Sequence, residues 1–296
     1  MVGQTVCLQI SELLQMSIQE RQNLPEALQY LAAQRLLYRR AKLVRNVAML
    51  TVLSIAILAL IGAFVQSKDF SYGVTVAALF TWFFDQFVLK EAEAKNKEEA
   101  AAIQEDFDCT VLDIPWPTHK RVKRPSRDRI QQLAVQAHKN PTIVRKLSDW
   151  YTPSSIPEGE ARAKIHCQRM NCWWDVDLRK RWRTVLAIAF WVFVVFAILL
   201  AVVSGITVAK FVALVASGLR ILAWGIGELK AQDSAIKNVQ EIHEMLDKAG
   251  GKSKPSSSEI RCFQDEIFEH RRSNPPVPEW FFWKNRDRQE AEAANP

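Results

Sequence analysis

Seven residues in one short stretch, Gln168, Arg169, Asn171, Trp173, Trp174, Asp175 and Arg179, bring cations, flat rings, amides and a carboxylate together. No glycine or proline stands between Gly159 and Gly205, so the stretch is expected to be helical and to place these residues on about three turns. Arg169 with Trp173, Asn171 with Asp175, and Asp175 with Arg179 are then i and i+4 neighbours on shared faces. A nucleotide needs cations for its phosphates, rings to stack on and amides or carboxylates for its base edges. The same residues also suit plain packing. Aromatic rings gather at membrane interfaces, and Asp175 and Arg179 could simply pair across one turn. Both readings stand at this level.

A second cluster, Lys120, Arg121, Lys123, Arg124, Arg127 and Arg129, is relieved only by Asp128. It could take phosphates of a ligand or of acidic lipid head groups, each cation near such a surface contributing about 1 kcal/mol. A solvated cationic linker accounts for it equally. Trp116 nearby could stack a base or pin the loop to a helical bundle. Two charges, Asp85 and Arg220, fall inside long apolar runs, where charge is costly and faces protein or water. A pair between them would be a latch on a closed bundle, a static ion pair, or an arginine reaching for head groups.

Catalysis finds no support. The sequence has no P-loop, GxSxG or HExxH pattern, and its histidines are scattered. His166, Cys167 and Cys172 lack a second ligand pair, so no metal is expected, and no cofactor is implied. The five cysteines, an odd number outside the apolar runs, fit reduced thiols. The chain reads as a non-enzyme.

Four apolar runs must position these groups. Residues 47–65, 70–89, 184–203 and 206–226 each approach the roughly 20 residues needed to cross a bilayer. Backbone groups in lipid need internal partners, so the runs must be helices. Residues 66–69 join the first two, and the surroundings of Ser204 and Gly205 join the last two, which forces two antiparallel hairpins. Arg35, Arg39, Arg40, Lys42 and Arg45 precede the first run, and Arg179, Lys180, Arg181 and Arg183 precede the third. The far turns carry only Lys68 and Lys210. The positive-inside rule then places both termini and the central region in the cytoplasm of a multi-pass inner-membrane protein. The first apolar run begins only at Val47, behind a polar leader, so no secretory signal peptide is expected.

The fold class is therefore an all-α integral membrane protein with helical cytoplasmic extensions. Its regions are 1–46, a cytoplasmic N-terminal helical part; 47–89, the first hairpin; 90–183, a cytoplasmic central part; 184–226, the second hairpin; and 227–296, a cytoplasmic C-terminal part. From Pro25 a single helix is expected to run into the first span, and helical extensions over 91–105 and 231–248 would complete a membrane-proximal stalk. A short helix over 128–138, another after Pro141, a helix over 259–272 and an extended aromatic tail over 275–283 complete the expected elements. The net charge of +7 and mean hydropathy of -0.08 agree with apolar spans diluted by basic cytoplasmic parts.

Several segments in this order resemble one family. They are Ile18-Gln19-Glu20-Arg21-Gln22-Asn23, Leu31-Ala32-Ala33-Gln34-Arg35 with Tyr38, Ile103-Gln104-Glu105-Asp106-Phe107-Asp108, and Pro115-Trp116. Asp149-Trp150-Tyr151, Cys167-Gln168-Arg169-Met170-Asn171 and Trp174-Asp175 follow, then Gln264-Asp265-Glu266-Ile267-Phe268 and Val277-Pro278-Glu279-Trp280-Phe281. Together they look like the SMODS-associating four-transmembrane effectors of bacterial CBASS-type anti-phage defence. Cys172-Trp173 departs from that pattern and adds aromatic bulk. The resemblance implies a gene neighbour that is a nucleotidyltransferase, and a cyclic oligonucleotide as ligand. It also implies a homo-oligomer that breaches the inner membrane in abortive infection. A constitutive channel or transporter, or a membrane-anchored interaction module, would share the same spans.

Overall fold

The computed structural model describes residues 16–65, 67–117, 123–151, 159–203, 208–252 and 255–294. The side chains of residues 63–64, 201, 208–220 and 293–294 also lie outside the description. Among the described residues the protein is all helix, with no strand.

A capping box between Ser17 and Glu20 opens the short α1 (Ile18–Arg21), and Pro25 starts α2 (Pro25–Val65), 41 residues without interruption. Proline suits a first turn, where its missing N–H has no helical partner to lose. Ser67 caps α3 (Lys68–Phe84), which passes through a π-helical turn (Asp85–Leu89) into α4 (Lys90–Val111). Ser126 caps α5 (Arg127–His138). The long α6 (Glu160–Val203) and α7 (Val208–Gly250) follow. A second capping box, Ser256 with Glu259, opens α8 (Ser257–Ser273), and α9 (Glu279–Ala294) closes the chain.

Two expectations need correcting. The helix expected after Pro141 does not form: residues 141–147 are turns, and Lys146 and Asp149 adopt left-handed backbone, at φ 52° and 53°. The cause is visible at Arg35, whose guanidinium takes the Ile143 and Arg145 carbonyls at 3.0 and 2.5 Å and reaches the Lys146 carbonyl at 3.5 Å. Those carbonyls cannot then build a helical ladder. The aromatic tail is extended only up to Pro278. From Glu279 it is helix, begun by the Phe282 N–H donating to the Pro278 carbonyl.

The long helices divide sharply in burial. Tyr30, Leu31, Leu37, Ile103, Phe107, Leu133, Ile165, Ile242, Leu246 and Ile267 form one core, drawn from the polar ends of α2, α4, α6 and α7 together with α5 and α8. The other ends of α2 and α6, and α3, which runs on into α4 through the π turn, turn their apolar side chains outward, as at Leu50 (55% exposed), Phe80 (72%) and Trp191 (60%). Continuous exposed apolar surface on this scale is incompatible with water and matches lipid. Among the described residues, three helices are long and apolar enough to cross a membrane: Pro25–Gly62, Lys68–Val111 and Glu160–Leu200. The fourth expected span, 206–226, falls on α7, where side chains through 220 lie outside the described residues. In the packed ends, α2 rests on α4, α5 and α7, α6 on α7 and α8, and α9 on α6.

Candidate ligand-binding site

A cavity of about 680 Å³ opens between the polar ends of α2, α4, α6, α7, α8 and α9 and the 146–150 turn. That volume falls in the range of small-molecule sites. Asn171, Trp174, Asp175 and Arg179 face it from α6; Arg35, Tyr38 and Lys42 from α2; Lys146 and Trp150 from the turn; His270 and Arg271 from α8; and Phe282, Arg286 and Gln289 from α9. Cations outnumber carboxylates along the wall, since Arg35, Lys42, Lys97, Lys146, Arg179, Arg271 and Arg286 stand against Asp149, Asp175, Glu279 and Glu290.

One wall is tightly wired. Asp175 Oδ2 accepts from Arg179 Nε at 2.6 Å and lies 2.7 Å from His270 Nε2. Burial pushes this carboxyl upward, but Arg179 and the His270 contact outweigh it and hold Asp175 well below the usual carboxylate range. Burial lowers the His270 pKa, against the opposing pull of Asp175, and the ring's Nε2–H donates to the Asp175 carboxylate. Arg179 also donates to the Pro275 carbonyl at 2.8 Å and to Gln232 at 3.3 Å, which fixes the chain just before α9.

Beneath the cavity lies a buried polar network. Asp108 accepts from Arg271 at 2.5 Å, Tyr151 at 2.7 Å and Gln264 at 2.9 Å. Glu105 accepts from Gln264 at 2.9 Å and from Arg261 at 2.5 Å. Burial raises the Glu105 carboxyl, with Arg261 opposing. Asn171 reaches this network by donating to Tyr151 at 3.3 Å.

The opposite wall is less satisfied. Eight buried side-chain polar atoms have no hydrogen-bond partner among the described residues, and four of them belong to cavity-lining residues: Tyr38 Oη, Trp150 Nε1, Arg286 Nη1 and Gln289 Oε1. Buried polar atoms without a partner cost about 1–3 kcal/mol each, so their concentration around one cavity marks a surface shaped for a polar occupant.

Of the seven α6 residues singled out in the sequence, the structure brings four to the cavity. Gln168 is buried elsewhere, donating to the Ile260 carbonyl and Gln264 at 3.0 Å each. Arg169 is exposed and pairs with Asp247 at 3.0 Å, and Trp173 stacks edge-on against Trp174 away from the cavity lining. Cys167 and Cys172 are buried thiols pushed up by desolvation, Cys172 to about 12. In the basic cluster, Lys120 and Arg121 lie outside the described residues, and Lys123 is exposed. Arg124 pairs with Asp106 at 2.6 Å, Arg127 with Glu26 at 3.4 Å and Arg129 with Glu99 at 2.6 Å. Trp116 packs against Ala101, Ala102 and Phe268 with Arg124 over its ring, which pins the loop. Asp85 opens the π turn and accepts from Gln86 at 3.1 Å, whereas the Arg220 side chain lies outside the described residues.

Sequence reasoning missed Lys146, Trp150, Arg286 and Gln289 as site residues, and took Arg35 and Lys42 as markers of orientation, and Arg35 also as part of the family resemblance, but neither as a site residue. One signal was available: Phe282 and Arg286 are four apart, and a run of aromatics followed by an arginine at that interval stacks when the segment is helical.

A family model for the SMODS-associating 4TM effector domain matches residues 16–296. A protein of Bacillus cereus (strain VD146) described as a "probable CBASS effector molecule" is 23% identical over 275 residues, covering 89% of this chain and 91% of the relative. No solved structure matches.

Proposed function

The chain belongs to the SMODS-associating 4TM effector family, and from that premise we propose that it is a ligand-gated membrane effector of cyclic-oligonucleotide anti-phage signalling. The observation that carries this reading is continuity. The helices α2 and α6 each line the cavity at one end and present a bare apolar stretch at the other, with no break between. A helix spanning both environments transmits a rotation or tilt made at the cavity directly into the bilayer.

In this reading the four apolar runs form two hairpins across the bacterial inner membrane, with both termini and the cavity in the cytoplasm, a placement that the flanking arginines support. A cyclic oligonucleotide, made by a partner nucleotidyltransferase, enters the cavity and binds the active arrangement more tightly than the resting one. Only such a difference in affinity can shift the equilibrium. Copies of the chain then assemble, and the bundle, held shut at rest by Asp85 with Arg220, opens or disrupts the membrane and ends the infection. The chemistry is binding and rearrangement, with no bond made or broken.

The test is dye release from liposomes containing the purified protein, with and without a panel of cyclic di- and trinucleotides. Release triggered by one of them supports the effector. Release in its absence identifies a constitutive channel, and none under any condition leaves a membrane-anchored interaction module.

A further inference from the structure

Among the described residues, Arg35 is a buried cation with no carboxylate in ion-pair range. It is 8% exposed, and its guanidinium contacts are three backbone carbonyls. A buried charge without a counterion is expensive to hold. A second cation makes matters worse, because Arg286 Nη2 donates to the Lys146 carbonyl at 3.3 Å, the same oxygen that Arg35 Nη2 reaches at 3.5 Å. Two guanidinium groups thus converge on one acceptor. Both lie over the Trp283 ring, at 5.5 Å for Arg35 and 5.3 Å for Arg286, with Arg145 also there at 5.4 Å. Burial lowers the Arg35 pKa and repulsion from Arg286 lowers it further, with attraction from Glu279 opposing, to about 10. Arg286 Nη1, buried in the same cavity, has no hydrogen-bond partner among the described residues.

We propose that Arg35 and Arg286, stacked on Trp283, form an oxyanion subsite of the cavity that grips a phosphodiester group of the ligand. The proposal rests on the reading that the cavity is the effector's ligand site, and it names the part of the site that reads phosphate. Guanidinium groups present paired N–H donors that match phosphate oxygens two at a time. The indole holds both planes in place and stabilises the charges while no anion is present. Carboxylates nearby are already engaged: Glu290 pairs with Arg286 at 2.5 Å and Lys146 at 3.1 Å, and Glu279 with Lys42 at 2.8 Å. Tyr38, Trp150 and Asn171 elsewhere on the wall offer a base its ring and edge contacts. A phosphate here does mechanical work as well, because Arg35 belongs to a membrane-crossing helix and Arg286 to the C-terminal helix. An anion between them removes their repulsion and ties α9 to α2.

The experiment measures binding to detergent-solubilised protein by calorimetry and Trp fluorescence. The probes are cyclic di- and trinucleotides, inorganic phosphate, and dioctanoyl phosphatidylglycerol as the lipid source of the same group. Arg286→Gln should weaken the phosphate-bearing probe by about 10- to 100-fold, the loss expected for charged hydrogen bonds, with Arg286→Lys intermediate. Glu290→Gln, which frees Arg286 from its competing carboxylate, should tighten binding, an outcome that a merely structural arginine would not produce. Arg35→Gln is set aside as a primary test because Arg35 also holds the 143–146 turn.

Unchanged affinity in Arg286→Gln overturns the subsite, as does weakened binding in both Arg286→Gln and Glu290→Gln. If cyclic di- and trinucleotides alike fail on the native protein but inorganic phosphate or the lipid binds through Arg286, the subsite stands and the nucleotide reading falls. If no probe binds in an Arg286-dependent way, the subsite falls.

Discussion

His270 on α8 holds the Asp175 carboxylate of α6 at 2.7 Å, and the two groups titrate in the same stabilising sense. Burial lowers His270 from its ordinary 6.5, with Asp175 only partly opposing. Asp175 is held below its ordinary 3.8, because Arg179 and His270 outweigh burial. Each group therefore binds fewer protons folded than unfolded, and stability rises with pH across each window. The His270 contribution is complete above 6.5 and is lost as pH falls through its lower folded value. The Asp175 contribution is complete above 3.8 and is lost on further acidification. The melting temperature in detergent should fall in two stages on acidification, and His270→Gln should flatten the first. A native protein with a flat profile from about pH 7 to 5 would contradict the assignment.

Asp108 and Arg271 form a buried ion pair beneath the cavity, 2.5 Å apart with the Asp108 side chain fully enclosed, and Glu105 with Arg261 matches it. Removing Asp108 leaves the largely buried Arg271 guanidinium with no counterion. Asp108→Asn should cost about 3–5 kcal/mol, read as a lower denaturant midpoint for the helical body. Tyr151→Phe, which removes one donor to the same carboxylate, should cost only about 1 kcal/mol.

The long helices were legible because their rules are local. Pro25 opens α2 and nothing before Gly62 interrupts it, and the same absence of breakers sets α6. The half of the site on α6 was legible for the same reason, since Asp175 and Arg179 are one turn apart. The other half was not, because it depends on contacts between distant segments. Arg35, Lys146 and Arg286 meet at one carbonyl across more than a hundred residues of chain in each step. The turn after Pro141 shows the same logic: its residues carry no strong helix breaker, and the arriving Arg35 and Arg286 divert its carbonyls. The π turn at Asp85 had no sequence signal that we can identify.

Gly225 on α7 faces Phe190 on α6 so closely that a methyl group added at Gly225 would overlap the ring. Small residues let membrane helices approach this way, and packing rather than water drives the contact. Gly225→Ala should separate α6 from α7 and lower the melting temperature, and Phe190→Ala should restore part of the loss in the double variant. Equal losses that simply add would show that the two residues are not in contact.

Cys262 on α8 is exposed, while Cys109, Cys167 and Cys172 are buried with their thiols pushed upward. A raised thiol is a poor nucleophile, so buried cysteines resist maleimide even when reagent reaches the protein. With Cys7 replaced by serine, Cys262 becomes the dominant reporter of which side of the membrane the helical body occupies. In intact spheroplasts a membrane-impermeant maleimide should leave the protein unlabelled, and permeabilisation should expose one rapidly reacting site. Replacing Cys262 by serine should remove that signal and leave only slow labelling of the buried thiols. Labelling of Cys262 from the outer face would place the cavity in the periplasm, away from any nucleotide made in the cytoplasm, and the effector reading would fail with it.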